Sequence, residues 1–170
     1  VPTSEKNFIG NIPMCSKVNV TNKFSFGIHW FNQNGYRTDL DLHAESKRLH
    51  IGWNCDLKNN AAAYTGDVTN APEPNGGAEA VYFKDEFADD TVIITVDNFT
   101  GFKNITTNVF FNWFIDKEVL DEDTILSIDS DSLYIKDFTL ESNEVMLGLI
   151  RADKDGKKEF IFYSSRLSDQ

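Results

Sequence analysis

Phe24-Ser25-Phe26-Gly27-Ile28-His29-Trp30 alternates bulky apolar residues with small or polar ones for seven positions. Side chains on a strand point alternately to opposite faces, so this stretch predicts a strand with one face buried. The same pattern recurs at Thr38–Ala44, Arg48–Trp53, Ala78–Phe83, Thr91–Asn98, Asn108–Ile115, Ser132–Leu140, Glu144–Arg151 and Lys158–Tyr163, with Gly, Asn, Asp and Pro clusters between. That makes about nine strands. No long segment carries a 3.6-residue apolar stripe, and the runs favour Val, Ile, Phe and Tyr, so helix content is expected to be low. Without helices to carry parallel crossovers, pairing must be mainly antiparallel, and so many aromatics need two sheets to cover them. The expected fold is an all-β, two-sheet antiparallel β-sandwich.

The tail reads as hairpins, one at Ser142-Asn143 and one at Asp153-Lys154-Asp155-Gly156, where Gly supplies a positive φ. The second is no EF-hand loop: lysines, Lys157 and Lys158, stand where later ligands belong. Asp116–Asp123 suits one short helical turn. Thr65–Gly77 is the longest irregular stretch, and a loop of that length in a compact domain is usually functional or disordered.

A chain of 170 residues, 41% hydrophobic and rich in Phe, supports a single domain over 1–170 with a real core. Its start at Val1 rather than Met suits a processed product or a piece of a longer polypeptide. The net charge of −11 repels phosphate backbones and anionic lipid, so neither nucleic acid nor membrane is expected as a partner. No run of apolar residues is long enough for a membrane helix. Cys15 and Cys55 have no CxxC spacing and read as reduced thiols, which favours the cytoplasm or the inside of a phage particle.

In Thr38-Asp39-Leu40-Asp41-Leu42-His43-Ala44 the leucines share one face, and Asp39, Asp41 and His43 share the other. The two carboxylates then lie about 6.6–7 Å apart along the strand. Either a hard cation lies between them or water screens them on an outer face. The long loop adds Asp67, Thr69 and Asn70 on one flank and Glu79 on the other, with Gly76 and Gly77 opening backbone carbonyls to close approach. Those donors suffice for a calcium cage if the loop folds over the strand.

Thr38-Asp39-Leu40-Asp41-Leu42, Ile51-Gly52-Trp53, Tyr64 to Pro72 with its Gly66-Asp67 pair, and Gly76-Gly77-Ala78-Glu79 follow one another in an order that resembles the TerD-like domains of the tellurium-resistance and stress-response family. The likeness is to the divergent form found in multidomain bacterial proteins. It runs from about residue 24 to 170, includes Asn98-Phe99-Thr100-Gly101, and is strongest over Thr38–Phe83. It implies a β-sandwich whose acidic loops bind calcium, with Asp39, Asp41, Asp67 and Glu79 at the ligand positions; Thr69, Asn70 and Gly77 are the further loop donors that the sequence itself offers. It also implies a calcium-dependent interaction module in a bacterial or phage stress-response or defence system, with a protein partner or other domains of the same polypeptide. Two positions depart from that pattern. Asn75-Gly76-Gly77-Ala78 replaces an acidic run, which puts a second calcium in doubt, and His43 replaces a small residue, as either a donor behind the ion or an exposed side chain.

An enzyme would need a nucleophile with its base or an acid-base pair in a cleft, and no such constellation accompanies His29, His43 or His50, so none is expected. The alternative is a structural or carbohydrate-binding module of a virion or cell-surface assembly, with Trp30, Trp53 and Trp113 stacking on sugars. Those tryptophans lie in apolar strand patterns, which predicts core packing for them instead.

Overall fold

A computed structural model of the chain describes residues 17–20, 24–54, 62–83, 87–111 and 133–162, and these residues form strands and loops without a helix. The strands are β1 (Lys17–Val20), β2 (Phe24–Trp30), β3 (Leu40–Glu45), β4 (His50–Ile51), β5 (Ala62–Tyr64), β6 (Gly77–Phe83), β7 (Asp90–Asn98), β8 (Ile105–Phe111), β9 (Leu133–Leu140), β10 (Glu144–Ala152) and β11 (Lys158–Phe162). They make two antiparallel sheets, a six-stranded one in the order β1-β11-β10-β7-β3-β4 and a five-stranded one in the order β5-β6-β2-β8-β9. The expected two-sheet sandwich is what forms.

The core lies between the sheets and follows the alternation. Phe26, Ile28 and Trp30 of β2 face Leu40, Leu42 and Ala44 of β3 and Val92, Ile94 and Val96 of β7, all buried. Phe26 stacks on Phe160 of β11 with ring centroids 5.2 Å apart. With Leu40 and Leu42 inward, period two sends Asp39, Asp41 and His43 to the outer face of the six-stranded sheet.

Three expectations change. Among the described residues there are eleven strands rather than about nine. The reason is plain for β5: Ala62, Ala63 and Tyr64 are all buried, so the strand shows no alternation to read. Ser142-Asn143 does not close a hairpin, because β9 pairs with β8 in one sheet while β10 pairs with β7 and β11 in the other. A short polar link looks the same in sequence whether it folds strands side by side or carries the chain across the sandwich. Trp30 is core, as expected, but Trp53 is 46% exposed, since β4 ends at Ile51.

The Asp153–Gly156 hairpin holds. Ala152 pairs with Lys158, Asp153 Oδ1 accepts from the Asp155 and Lys157 amides, and Gly156 takes a φ of +82°. Asp116–Asp123, Trp113, Cys15 and Cys55 lie outside the described residues. Among the described residues no helix is long and apolar enough to cross a membrane.

Candidate metal centre

Among the described residues β4 pairs with Ala44 and Glu45 alone, and no strand lies beside the rest of that edge of β3. An unpaired amide there must find another acceptor. Glu79 supplies it. The residue shares the inward face of β6 with Val81 and Phe83, is fully buried, and accepts from the Leu42 amide through Oε1 (2.9 Å) and from the Val68 amide through Oε2 (2.9 Å). The Tyr64 hydroxyl donates to the same Oε1. One carboxylate thus joins the backbone beside Asp41 to the backbone beside Asp67.

The long loop is held down at several further points. Asn32 Oδ1 accepts from the Thr38 and Ala71 amides, its own Nδ2 donates to Asn70 Oδ1, and its backbone amide donates to the Ala71 carbonyl. Ala71 is buried in the core. Gly76 sits at a φ of +74°, where a Cβ would lie 2.4 Å from the Trp30 carbonyl oxygen. Gly76→Ala is therefore expected to destabilise the fold by about 2 kcal/mol or more, from left-handed strain and the backbone clash together. A drop of roughly 4–8 °C in melting temperature would show it.

With the loop closed, one carboxylate oxygen each from Asp39, Asp41 and Asp67 lie within 4.8 Å of one another. Asp39 is fixed by its neighbours: its amide donates to Thr100 Oγ1 and its carbonyl accepts from the Phe99 amide. Thr100 is set in turn by donating its amide to Asn98 Oδ1. Asp41 is only 4% exposed, and its carboxyl shares a hydrogen bond with that of Asp67. Burial, then the negative charges of Asp39 and Asp67, the hydrogen bond with Asp67 and the charge of Asp97, push its carboxyl up to about 7. Asp39 is raised as well, by burial and by Asp67, with Arg37 opposing, and its Oδ1 is buried without a hydrogen-bond partner. Burial also raises Glu79, to about 8, against the lowering effect of its three donors. Three mutually repelling carboxylates in a partly dry site form an arrangement that a metal ion could hold together.

Of the residues expected at the ligand positions, Asp39, Asp41 and Asp67 come together and Glu79 stands outside the triad with both oxygens already accepting. Thr69 is exposed, Asn70 Oδ1 accepts from Asn32, and Gly77 is close-packed against Val68, Ala71 and Trp30. His43 also lies outside the triad. Its Nε2 is 3.1 Å from Asn54 Oδ1, and its Nδ1 is 3.0 Å from Asp97 Oδ2. Its ring lies over Gly52, where a Cβ would come within 2.3 Å of Cδ2. The site residues that sequence reasoning passed over are Asn32, Tyr64, Asp97 and Thr100. Tyr64 and Thr100 carried a signal, as parts of the Tyr64–Pro72 and Asn98-Phe99-Thr100-Gly101 stretches.

No family model and no curated protein matches the sequence. Among solved structures the fold is similar to the crystal structure of SAV2460, described as a protein of unknown function, with a TM-score of 0.54 and 15% identity over 84% of this chain and 90% of that one. At that identity the likeness concerns the fold alone.

Proposed function

We propose that this chain is a TerD-like, calcium-binding interaction module of a bacterial or phage stress-response or defence system, and a binding protein rather than an enzyme. The observation that carries the metal reading is the convergence of Asp39, Asp41 and Asp67, in which Asp39 Oδ1 is buried without a hydrogen-bond partner. Leaving such a group without a donor is costly unless a cation or a proton compensates it. The donors are all carboxylate oxygens, which suit a hard ion. Their spacing within 4.8 Å fits inside a calcium coordination sphere, whose diameter is about 4.6–5.2 Å for ligand distances of about 2.3–2.6 Å. Magnesium, with bonds of about 2.0–2.1 Å and a strong hold on its water, fits a loop-built triad less well. The bound ion would tie Asp67 of the loop to Asp39 and Asp41, stiffening a surface for a protein partner or for another domain of the same polypeptide. The cytoplasm, or a phage interior, is the setting this reading favours.

The pH dependence follows from the raised groups. Asp41 at about 7 and Glu79 at about 8 hold protons in the folded state that they release near pH 4 when unfolded. Their contribution to the stability of the metal-free protein is therefore fully present below about pH 4 and is lost as pH rises through about 7 to 8. Calcium binds the ionised triad, so its stabilising effect is expected to grow over the same window. Melting curves from pH 5 to pH 8, with calcium or with chelator, test this. A calcium effect that stays constant or shrinks with rising pH would count against carboxylate ligation.

A further inference from the structure

Trp53 and Phe99 are 46% and 55% exposed, and their rings meet edge to face with centroids 6.2 Å apart. Trp53 follows β4 and Phe99 follows β7, the two strands that flank β3, so the contact between them passes across β3. The registers fix where it crosses. Leu40 pairs with Asn98, which sets Phe99 beside Asp39, and Ala44 pairs with Ile51, which brings Trp53 past the level of His43. The ring pair therefore spans the stretch that bears Asp41. Asn54, next to Trp53 in the chain, and Asp67, which meets Asp39 and Asp41, are exposed beside it. Two half-exposed aromatic rings outside the core and beside a charged site point to a ligand.

We propose that the calcium ion and the Trp53–Phe99 pair form one composite site for a sugar bearing vicinal hydroxyls. The inference rests on the calcium reading above. Calcium takes six to eight oxygens. The triad contributes the carboxylates of three residues, while the oxygens of Glu79 and Asn70 Oδ1 already accept hydrogen bonds within the protein. Coordination positions are left for ligand oxygens on the side of exposed Asp67. A sugar offers hydroxyl pairs to the ion and a C–H face to an aromatic ring. A lipid surface fits less well. Seating the rings in a bilayer would bury Asn54 and Asp67, and the net charge of −11 repels anionic headgroups.

Affinity electrophoresis through gels containing mannan, galactan, a β-glucan or chitin fragments, with calcium or with chelator, tests the proposal on the whole chain. The wild type is expected to be retarded by at least one polysaccharide in calcium and by none in chelator. Trp53→Ala is expected to lose about tenfold in affinity, the loss of one stacking face, with its calcium calorimetry unchanged. Normal calcium binding without retardation in any gel would overturn the sugar site alone, as would equal retardation of Trp53→Ala. Calcium-dependent sedimentation with phosphatidylserine vesicles, without retardation, would assign the rings to a lipid surface and overturn it too. A flat calcium isotherm would remove the metal reading and this one with it.

Discussion

Calcium added to the metal-free protein at neutral pH is expected to raise its melting temperature by roughly 5–10 °C when the ion is at a hundredfold excess over its dissociation constant. That figure is about 2.7 kcal/mol of mass-action stabilisation, spread over a domain of this length. The variants give the test its sign. Asp67→Asn removes one of the charges that hold the Asp41 carboxyl at about 7, so the metal-free variant should be more stable than the wild type, by about 1 kcal/mol or roughly 2–4 °C. The same substitution should abolish the response to calcium. A residue that stabilises the apo fold when its charge is removed, and loses the ligand in doing so, is one whose charge serves binding. Thermal melts of wild type and Asp67→Asn, each with calcium and with chelator, read both effects. If Asp67→Asn lowered the apo melting temperature and kept the calcium shift, the triad would have no place in metal binding.

Glu79 should behave in the opposite way. Its oxygens accept from the Leu42 and Val68 amides and the Tyr64 hydroxyl, so it is bound into the frame whether or not calcium is present. In Glu79→Gln the single carbonyl oxygen can keep Leu42 and Tyr64, but the amide nitrogen then meets the Val68 N–H, donor against donor. An unsatisfied buried donor costs about 1–3 kcal/mol, which is roughly 2–12 °C for a domain of this size. The loss should appear in the metal-free protein. Calcium affinity should fall as well, because the loop that carries Asp67 is no longer tied at Val68. Were Glu79 instead a direct ligand with no part in the frame, Glu79→Gln would leave the apo melting temperature unchanged and abolish binding outright.

Glu79 also marks how far the sequence could be read. The alternation that placed Phe26, Ile28 and Trp30 in the core is local, and the structure follows it. Applied to β6, the same rule puts Glu79 in phase with Val81 and Phe83, an acid where an apolar side chain belongs. That mismatch was legible as a signal of a buried, partnered carboxylate. What it could not show is the partners, since Leu42 lies 37 residues away and becomes a donor only because β4 is too short to cover that edge of β3. The pairing of Asp39 with Asp41 was legible for a similar reason, period two on one strand. The arrival of Asp67 was not, because it depends on Asn32, whose Oδ1 joins Thr38 and Ala71 through contacts that leave no periodic trace. The Ser142-Asn143 crossing failed for want of long-range information of the same kind: local turn chemistry does not say which strands pair.

One divalent ion held jointly by a strand and a distant loop is the idea that isothermal titration of calcium into the chelator-treated protein tests most directly, with Asp41→Asn as the control. A saturable one-to-one isotherm in the wild type, a weaker response to magnesium and no heat in Asp41→Asn are the results expected. A flat wild-type isotherm, or one that Asp41→Asn reproduces, would contradict it.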